Sequence, residues 1–223
     1  IGVAVAVEGW SGYFPFGHIE GNLPKQKVLE WIKEICALPA TKIFHNAMYD
    51  VCWLKAYGIK INGHIIDTMV MAALVNENRY SYSLNSLCYE LLGEVKDESL
   101  LMEASKGIDP KAEMYKLPAM FVGNYAEKDA ELTLKLFKHL STEIRKENLI
   151  KVFDLETRLF PCLIAMKSTG VRVDVERAHL LKNKLFEKEK QLLMQVKKET
   201  GIDVQIMAAR SVAKVFDKLG LTY

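Results

Sequence analysis

Two acidic residues stand out by the company they keep. Asp50 closes the run His45-Asn46-Ala47-Met48-Tyr49-Asp50, directly after a short strand signal at residues 41–44. Asp129 follows Tyr125 by four positions in the run Tyr125-Ala126-Glu127-Lys128-Asp129. In a helix that spacing puts the hydroxyl and the carboxylate on one face. Ala126, Ala130, Leu132 and Thr133 make the surroundings of Asp129 largely apolar. A carboxylate there has to be ion-paired, hydrogen-bonded or bound to a metal, because an isolated buried charge is expensive. A capping or salt-bridged Asp and a metal ligand both satisfy that condition. A second constellation, His45, Asp50, His64 and Asp67, could be assembled into a His/Asp metal phosphohydrolase site. It needs four residues to converge with no motif behind them, and a lone His after a strand is more often a satisfied structural histidine.

The elements that must carry these residues follow from periodicity. Residues 1–18 read as a β-hairpin, with Val3, Val5 and Val7 favouring strand and a short Gly-bearing loop at Glu8-Gly9-Trp10-Ser11-Gly12. Residues 25–37 place Val28, Trp31, Ile32 and Ile35 at helical spacing. A helix is expected from Ala47, stopped at Gly58, then a short buried strand at 64–66 with Asp67 capping the next helix. Ser83 caps a further helix that ends at Gly93. Residues 94–116 are polar and irregular and read as a loop with one helical turn at most. A long helix is expected over 118–146. Strands alternating with helices argue for an α/β layer fold, and the opening hairpin argues for a mixed sheet. Beyond Glu147 the strand signals nearly vanish. Helices are expected over 153–169, 175–200 and 208–220, with a boundary between two parts near 148–152. The 175–200 helix carries an apolar stripe at Leu181, Leu185, Leu192 and Val196 that needs a partner surface.

Composition narrows the class. The chain has 223 residues, 50% hydrophobic and 26% charged, which excludes wholesale disorder. No apolar run approaches the roughly 20 residues of a membrane span. Cys36, Cys52, Cys88 and Cys162 are scattered without a C-x-x-C pair, so reduced thiols packed as small hydrophobes are expected. Net charge splits by region. Residues 1–150 hold 16 Lys+Arg against 19 Asp+Glu, net −3, and residues 151–223 hold 14 against 9, net +5. A basic C-terminal part suits phosphate contacts, although solvated Lys-rich helix faces produce the same count. The chain opens on Ile1 in an apolar strand-like run, so it is expected to be a piece of something longer.

Asn-x-x-Tyr-Asp after a strand, followed far downstream by Tyr-x-x-x-Asp on a helix, resembles the second and third motifs of the DEDD 3′–5′ exonucleases, tyrosine subclass. Asp67-Thr68-Met69 after an Ile pair, and Tyr82-Ser83-Leu84-Asn85-Ser86-Leu87, look like the intervening segments of the proofreading domain of family A DNA polymerases. Residues 156–174 and 201–221 look like the start of the polymerase thumb, so the resemblance covers nearly the whole chain. It implies an RNase H-like exonuclease domain at 1–149 and an all-α thumb segment at 150–223. The family's first motif, Asp-x-Glu, does not occur in residues 1–20. Its strand is expected ahead of Ile1, and the isolated chain is expected to be weak or inactive.

The resemblance also implies chemistry. Asp129 would bind the metal that activates water, Asp50 would serve a second metal, and both ions would be Mg²⁺ or Mn²⁺. Tyr125 would orient the attacking water. Asn46 and Tyr49 would lie against the terminal nucleotide at the 3′ end of single-stranded DNA. Lys182, Lys184 and Lys188 would touch duplex DNA at the thumb, beside the rest of a polymerase chain. A bacterial or infected host cytoplasm, near the nucleoid, is the expected setting. A catalytically silent DNA-binding scaffold of the same fold is the other reading.

Overall fold

The computed structural model describes residues 1–96, 98–107 and 109–222. It divides into two compact units, Ile1–Thr169 and Gly170–Tyr223. The division falls one helix later than the sequence suggested. The last helix of the first unit buries Phe160 and Ile164 against Ala47 and Val51, far upstream.

The first unit opens with a hairpin, β1 (Gly2–Val7) and β2 (Trp10–Pro15), paired antiparallel from Gly2↔Pro15 to Val7↔Trp10. The turn is only Glu8-Gly9, shorter than the sequence implied, with Gly9 at φ +78°. Then come α1 (Lys25–Ala37), β3 (Lys42–Phe44), α2 (Ala47–Ala56), β4 (Ile65–Asp67), α3 (Thr68–Val75) and α4 (Leu84–Leu92). β3 and β4 pair in parallel, Lys42↔Ile65 through Phe44↔Asp67. The antiparallel and parallel pairings of a mixed sheet are therefore both present, as two separate two-stranded sheets among the described residues. Gly63 turns the chain into β4 at φ +81°, where a Cβ would lie 2.6 Å from the carbonyl oxygens of Pro39 and Ala40. Only glycine fits there.

Residues 94–116 hold more structure than a loop: α5 (Ser99–Ala104), α6 (Pro110–Glu113) and a 3₁₀ turn at Met114–Lys116. Residues 97 and 108 of that stretch lie outside the described residues. Leu101 of α5 is buried with Leu117 and Val122, and that contact stabilises a short helix that propensity alone would not hold.

The spine is α7 (Ala119–Lys146), which packs against β1, β2, β3, α3, α4, α5 and α8 (Ile150–Thr169). Leu132, Leu136, Leu140 and Ile144 recur every four residues and are almost wholly buried, the last three against Met71, Ala72 and Leu87. A second cluster sets Val28, Ile32 and Cys36 of α1 beneath Val3, Phe14 and Phe16 of the hairpin region. Cys36 and Cys88 are buried as expected, but Cys162 is exposed on α8. Among the described residues no helix is long and apolar enough to cross a membrane.

The second unit holds α9 (Val175–Thr200) and α10 (Ala209–Leu219). Asp174 caps α9 by accepting from Arg177 N at 2.9 Å, and Gly201 ends it at φ +74°. Leu181, Leu185 and Leu192 stand exposed, as do Lys182, Lys184 and Lys188.

Polar bonds fix how the hairpin meets α7. Ser11 Oγ donates to Glu131 Oε1 at 2.7 Å and Tyr13 N donates to Glu127 Oε1 at 3.0 Å. The buried His18 bridges Leu117 O, 2.8 Å from Nδ1, and the Tyr13 hydroxyl, 2.6 Å from Nε2. A carbonyl only accepts, so Nδ1 carries the proton and Nε2 accepts from Tyr13. Burial lowers the His18 pKa, which fits this neutral form. A depressed folded pKa contributes stability that is present above the ordinary His range and lost as pH falls through it. Urea unfolding at a series of pH values should therefore show stability falling from about pH 7 to pH 5. His18→Gln, which keeps a donor and an acceptor, should flatten part of that slope.

Candidate active site

The site is built where β3 and β4 end and α2 and α7 pass. Asn46 begins α2 in the left-handed region, at φ 61°, a conformation that Asn tolerates better than most residues. Its backbone N–H donates to Asp67 Oδ1 at 3.0 Å, and Ala47 N donates to Asp67 Oδ2 at 2.8 Å. Met69 N donates to Asp67 Oδ1 at 2.9 Å. Asp67 caps α3 as its sequence position suggested. It also pins the start of α2, a role that the sequence did not reveal. With three backbone donors on it, Asp67 is committed to structure.

His45 is committed too. Its Nδ1 lies 2.9 Å from Thr68 Oγ1 and its Nε2 lies 3.0 Å from Tyr82 O. Burial lowers its pKa, against the pull of Asp67 and Asp129. His64 is exposed. No group of three or more His, Cys, Asp or Glu among the described residues could hold a metal. The four-residue His/Asp constellation is therefore not assembled.

On α2, Asn46, Tyr49, Asp50 and Trp53 recur at helical spacing and form one stripe, while Ala47 and Val51 face the core. Tyr49 and Trp53 are exposed at 58% and 56%, with ring centroids 6.4 Å apart. Trp53 joins Tyr49 on this stripe, a pairing that their i,i+4 spacing in the sequence already implies. Burial, helped by the charge of Asp67, pushes the Asp50 carboxyl up to about 6.

On α7, Val122, Ala126, Asp129, Thr133 and Leu136 follow one another along the face turned inward, so Asp129 interrupts a buried stripe. Its Oδ1 is buried and has no hydrogen-bond partner, while the side chain as a whole is 31% exposed. Lys96 forms an ion pair with that same oxygen. The Lys96 side chain is 5% exposed, and its Nζ lies 4.7 Å from the centroid of the Tyr125 ring. Burial first, then the Asp129 carboxylate, holds the Tyr125 hydroxyl above its usual range. It stays protonated, and a donor, at neutral pH. Lys96 was invisible in the sequence, since it lies in a polar segment without periodicity. Its neighbour Glu94 is ion-paired with Lys128 and Lys135.

Hard carboxylate oxygens at Asp50 and Asp129 suit Mg²⁺ or Mn²⁺. Oδ1 of Asp129, buried and paired with the Lys96 ammonium, is the oxygen that such an ion would take over.

Comparison with known proteins places the chain in a family. Residues 20–145 match the family model described as 3′–5′ exonuclease, the exonuclease domain of family A DNA polymerases. The chain belongs to this family. It is 35% identical over 207 residues to a DNA-directed DNA polymerase of Pseudomonas phage M6, covering 90% of this chain and 31% of that protein. It is 28% identical over 224 residues to DNA polymerase DpoZ of Salmonella phage PMBT28, covering 97% of this chain and 35% of that protein. The chain thus spans about a third of the length of these relatives. Among solved structures it is similar to the POL domain of Pol1 from M. smegmatis in complex with DNA primer-template and dNTP. The TM-score there is 0.60 at 19% identity, over 96% of this chain and 34% of that one. The fold is thus the RNase H-like exonuclease fold that the sequence motifs implied.

Two carboxylates in this neighbourhood should respond oppositely to removal. Asp67→Ala leaves three backbone N–H groups without their acceptor and should cost about 2–4 kcal/mol in urea unfolding. Asp50 carries a raised folded pKa, so its ionised form is penalised above about pH 6 and carries no penalty below its ordinary range. Asp50→Asn should stabilise the metal-free chain by about 1–2 kcal/mol at neutral pH, after allowing for partial solvent screening. It should do nothing below about pH 4.

Proposed function

We propose that this chain is the proofreading part of a DNA polymerase and removes the 3′-terminal nucleotide of single-stranded DNA by two-metal hydrolysis. The observation that carries the reading is Asp129 Oδ1, a buried carboxylate oxygen met by the Lys96 ammonium, one helical turn from the protonated Tyr125 hydroxyl. Asp129 and Asp50 would each hold a divalent cation. Such ions lower the pKa of a bound water and stabilise charge on the scissile phosphate and the leaving oxygen. The Tyr125 hydroxyl would orient the attacking water by donating or accepting a hydrogen bond. Asn46 and Tyr49, exposed at the start of α2, would lie against the terminal nucleotide, where stacking suffices without sequence reading. The Asp-x-Glu pair of the family would come from a strand outside these 223 residues, so the isolated chain would degrade DNA weakly at best.

The residues from 150 on would form the start of the thumb. Net charge of +5 over 151–223 and the exposed Lys182, Lys184 and Lys188 of α9 support contact with duplex phosphates. Such contacts position DNA without reading its sequence.

The test uses a longer polypeptide that joins this chain to an upstream Asp-x-Glu strand and a downstream polymerase region. Asp129→Asn should cut 3′–5′ degradation of a labelled single strand by orders of magnitude while primer extension survives. Tyr125→Phe should cost less, because it removes an orienting hydroxyl rather than a metal ligand. Undiminished degradation by Asp129→Asn would sink the reading.

A further inference from the structure

We propose that Lys96 is the resident cation of the Asp129 site: its ammonium occupies the carboxylate in the metal-free chain, and a divalent ion binds there by displacing it. The inference rests on the reading of Asp129 as a metal ligand and adds what that ligand does when no metal is present.

Three observations carry it. The first is mutual burial. The Lys96 side chain is 5% exposed and meets Oδ1 of Asp129, itself buried and without a hydrogen bond. Each charge alone would be costly in that position, so each is tolerated because of the other. The second is the backing of the ammonium by the Tyr125 ring, 4.7 Å from Nζ to the centroid. A cation over an aromatic face is favourable, more so when desolvated. The third is the strap that delivers it. Two residues before Lys96, Glu94 receives Lys128 Nζ at 3.1 Å and Lys135 Nζ at 2.6 Å, both from α7. Val95 between them is 72% exposed. Side chains 94 and 96 thus both turn onto α7, and the Glu94 clamp fixes where Lys96 can reach.

A divalent ion and an ammonium cannot share one carboxylate oxygen without strong repulsion. Lysine has a flexible four-carbon stem, so Nζ can swing away while Glu94 keeps the strap on α7. Metal affinity at Asp129 is then the outcome of a competition between a mobile +1 and an incoming +2. The pairing also explains how a carboxylate survives in a buried stripe before metal arrives.

The test is Mn²⁺ binding to the full 223-residue chain, followed by the paramagnetic resonance of free Mn²⁺ at fixed pH and salt. Lys96→Ala and Lys96→Gln should each tighten Asp129-dependent binding by roughly tenfold, the scale of one lost competing contact. Adding Asp129→Asn to either variant should abolish the gain. A second measurement needs no variant. Acylation of Lys96, read by mass spectrometry against Lys128 and Lys135, should be slow in the metal-free chain and accelerate several-fold on adding Mn²⁺. Unchanged or weaker binding in the Lys96 variants, with Asp129→Asn still reducing binding in the parent chain, overturns the competition and leaves the metal reading standing. Lys96 acylation that Mn²⁺ does not alter, in a chain whose Mn²⁺ binding depends on Asp129, does the same. Binding that never depends on Asp129 overturns both.

Discussion

The geometry of the site depends on one carboxylate spent on backbone hydrogen bonds. Asp67 ends β4, and its two oxygens accept from the backbone N–H groups of Asn46, Ala47 and Met69. One side chain therefore ties the end of a parallel strand pair to the starts of two helices. Hydrogen bonds to a charged acceptor contribute roughly 1.5–3 kcal/mol each, enough together to hold Asn46 in its left-handed conformation. That conformation sets the direction of α2, and α2 sets where Tyr49, Asp50 and Trp53 stand. The opposite face of α2 buries Ala47 and Val51 against α8, so the stripe is held from both sides.

The other half of the site depends on the phase of α7. Its apolar positions from Leu132 to Ile144 pack against α3 and α4, and the buried bridge at His18 and Leu117 fixes its N-terminal end. A helix held at both ends has no freedom to rotate, so Tyr125 and Asp129 face inward by default. The cost is a carboxylate in an apolar stripe. Sites that must bind a cation accept such local costs and offset them with packing elsewhere.

Much of this was legible in the sequence, for local reasons. The bounds of α1 and α9 follow from apolar periodicity, and α9 also from its Asp174 cap and its stop at Gly201. The motif spacing placed Asn46, Tyr49 and Asp50 on one helix, and Tyr125 and Asp129 on another. What escaped was non-local. Nothing near Asp67 announces that it also holds a helix twenty residues upstream. Leu101 forms a helix because Leu117 and Val122 cover it, and Lys96 matters because Asp129 lies across from it. The first unit runs to Thr169 because α8 finds its partner in α2, whereas composition alone changes near residue 150. Cys162 sits in an apolar run yet faces out, since only Phe160 and Ile164 of that turn are buried.

Three carboxylates in this neighbourhood meet the same physical demand in three ways, and the difference sorts structure from chemistry. Asp67 is compensated by backbone N–H groups, which cannot leave without unwinding two helices. Asp50 is left with its cost unmet: burial pushes its carboxyl up to about 6, so at neutral pH it is ionised at a penalty. Asp129 is compensated by the ammonium of a long, flexible side chain. A metal ion binds only where the existing compensation can be given up. The ionised Asp50 has a charge still to be met and a lysine side chain can swing away, but a helix start cannot move. By that criterion Asp67 is excluded as a ligand although it is the best-bonded carboxylate of the three. On the proposed reading Asp50 and Asp129 would be the ligands, for the same reason that they are poorly satisfied without a metal.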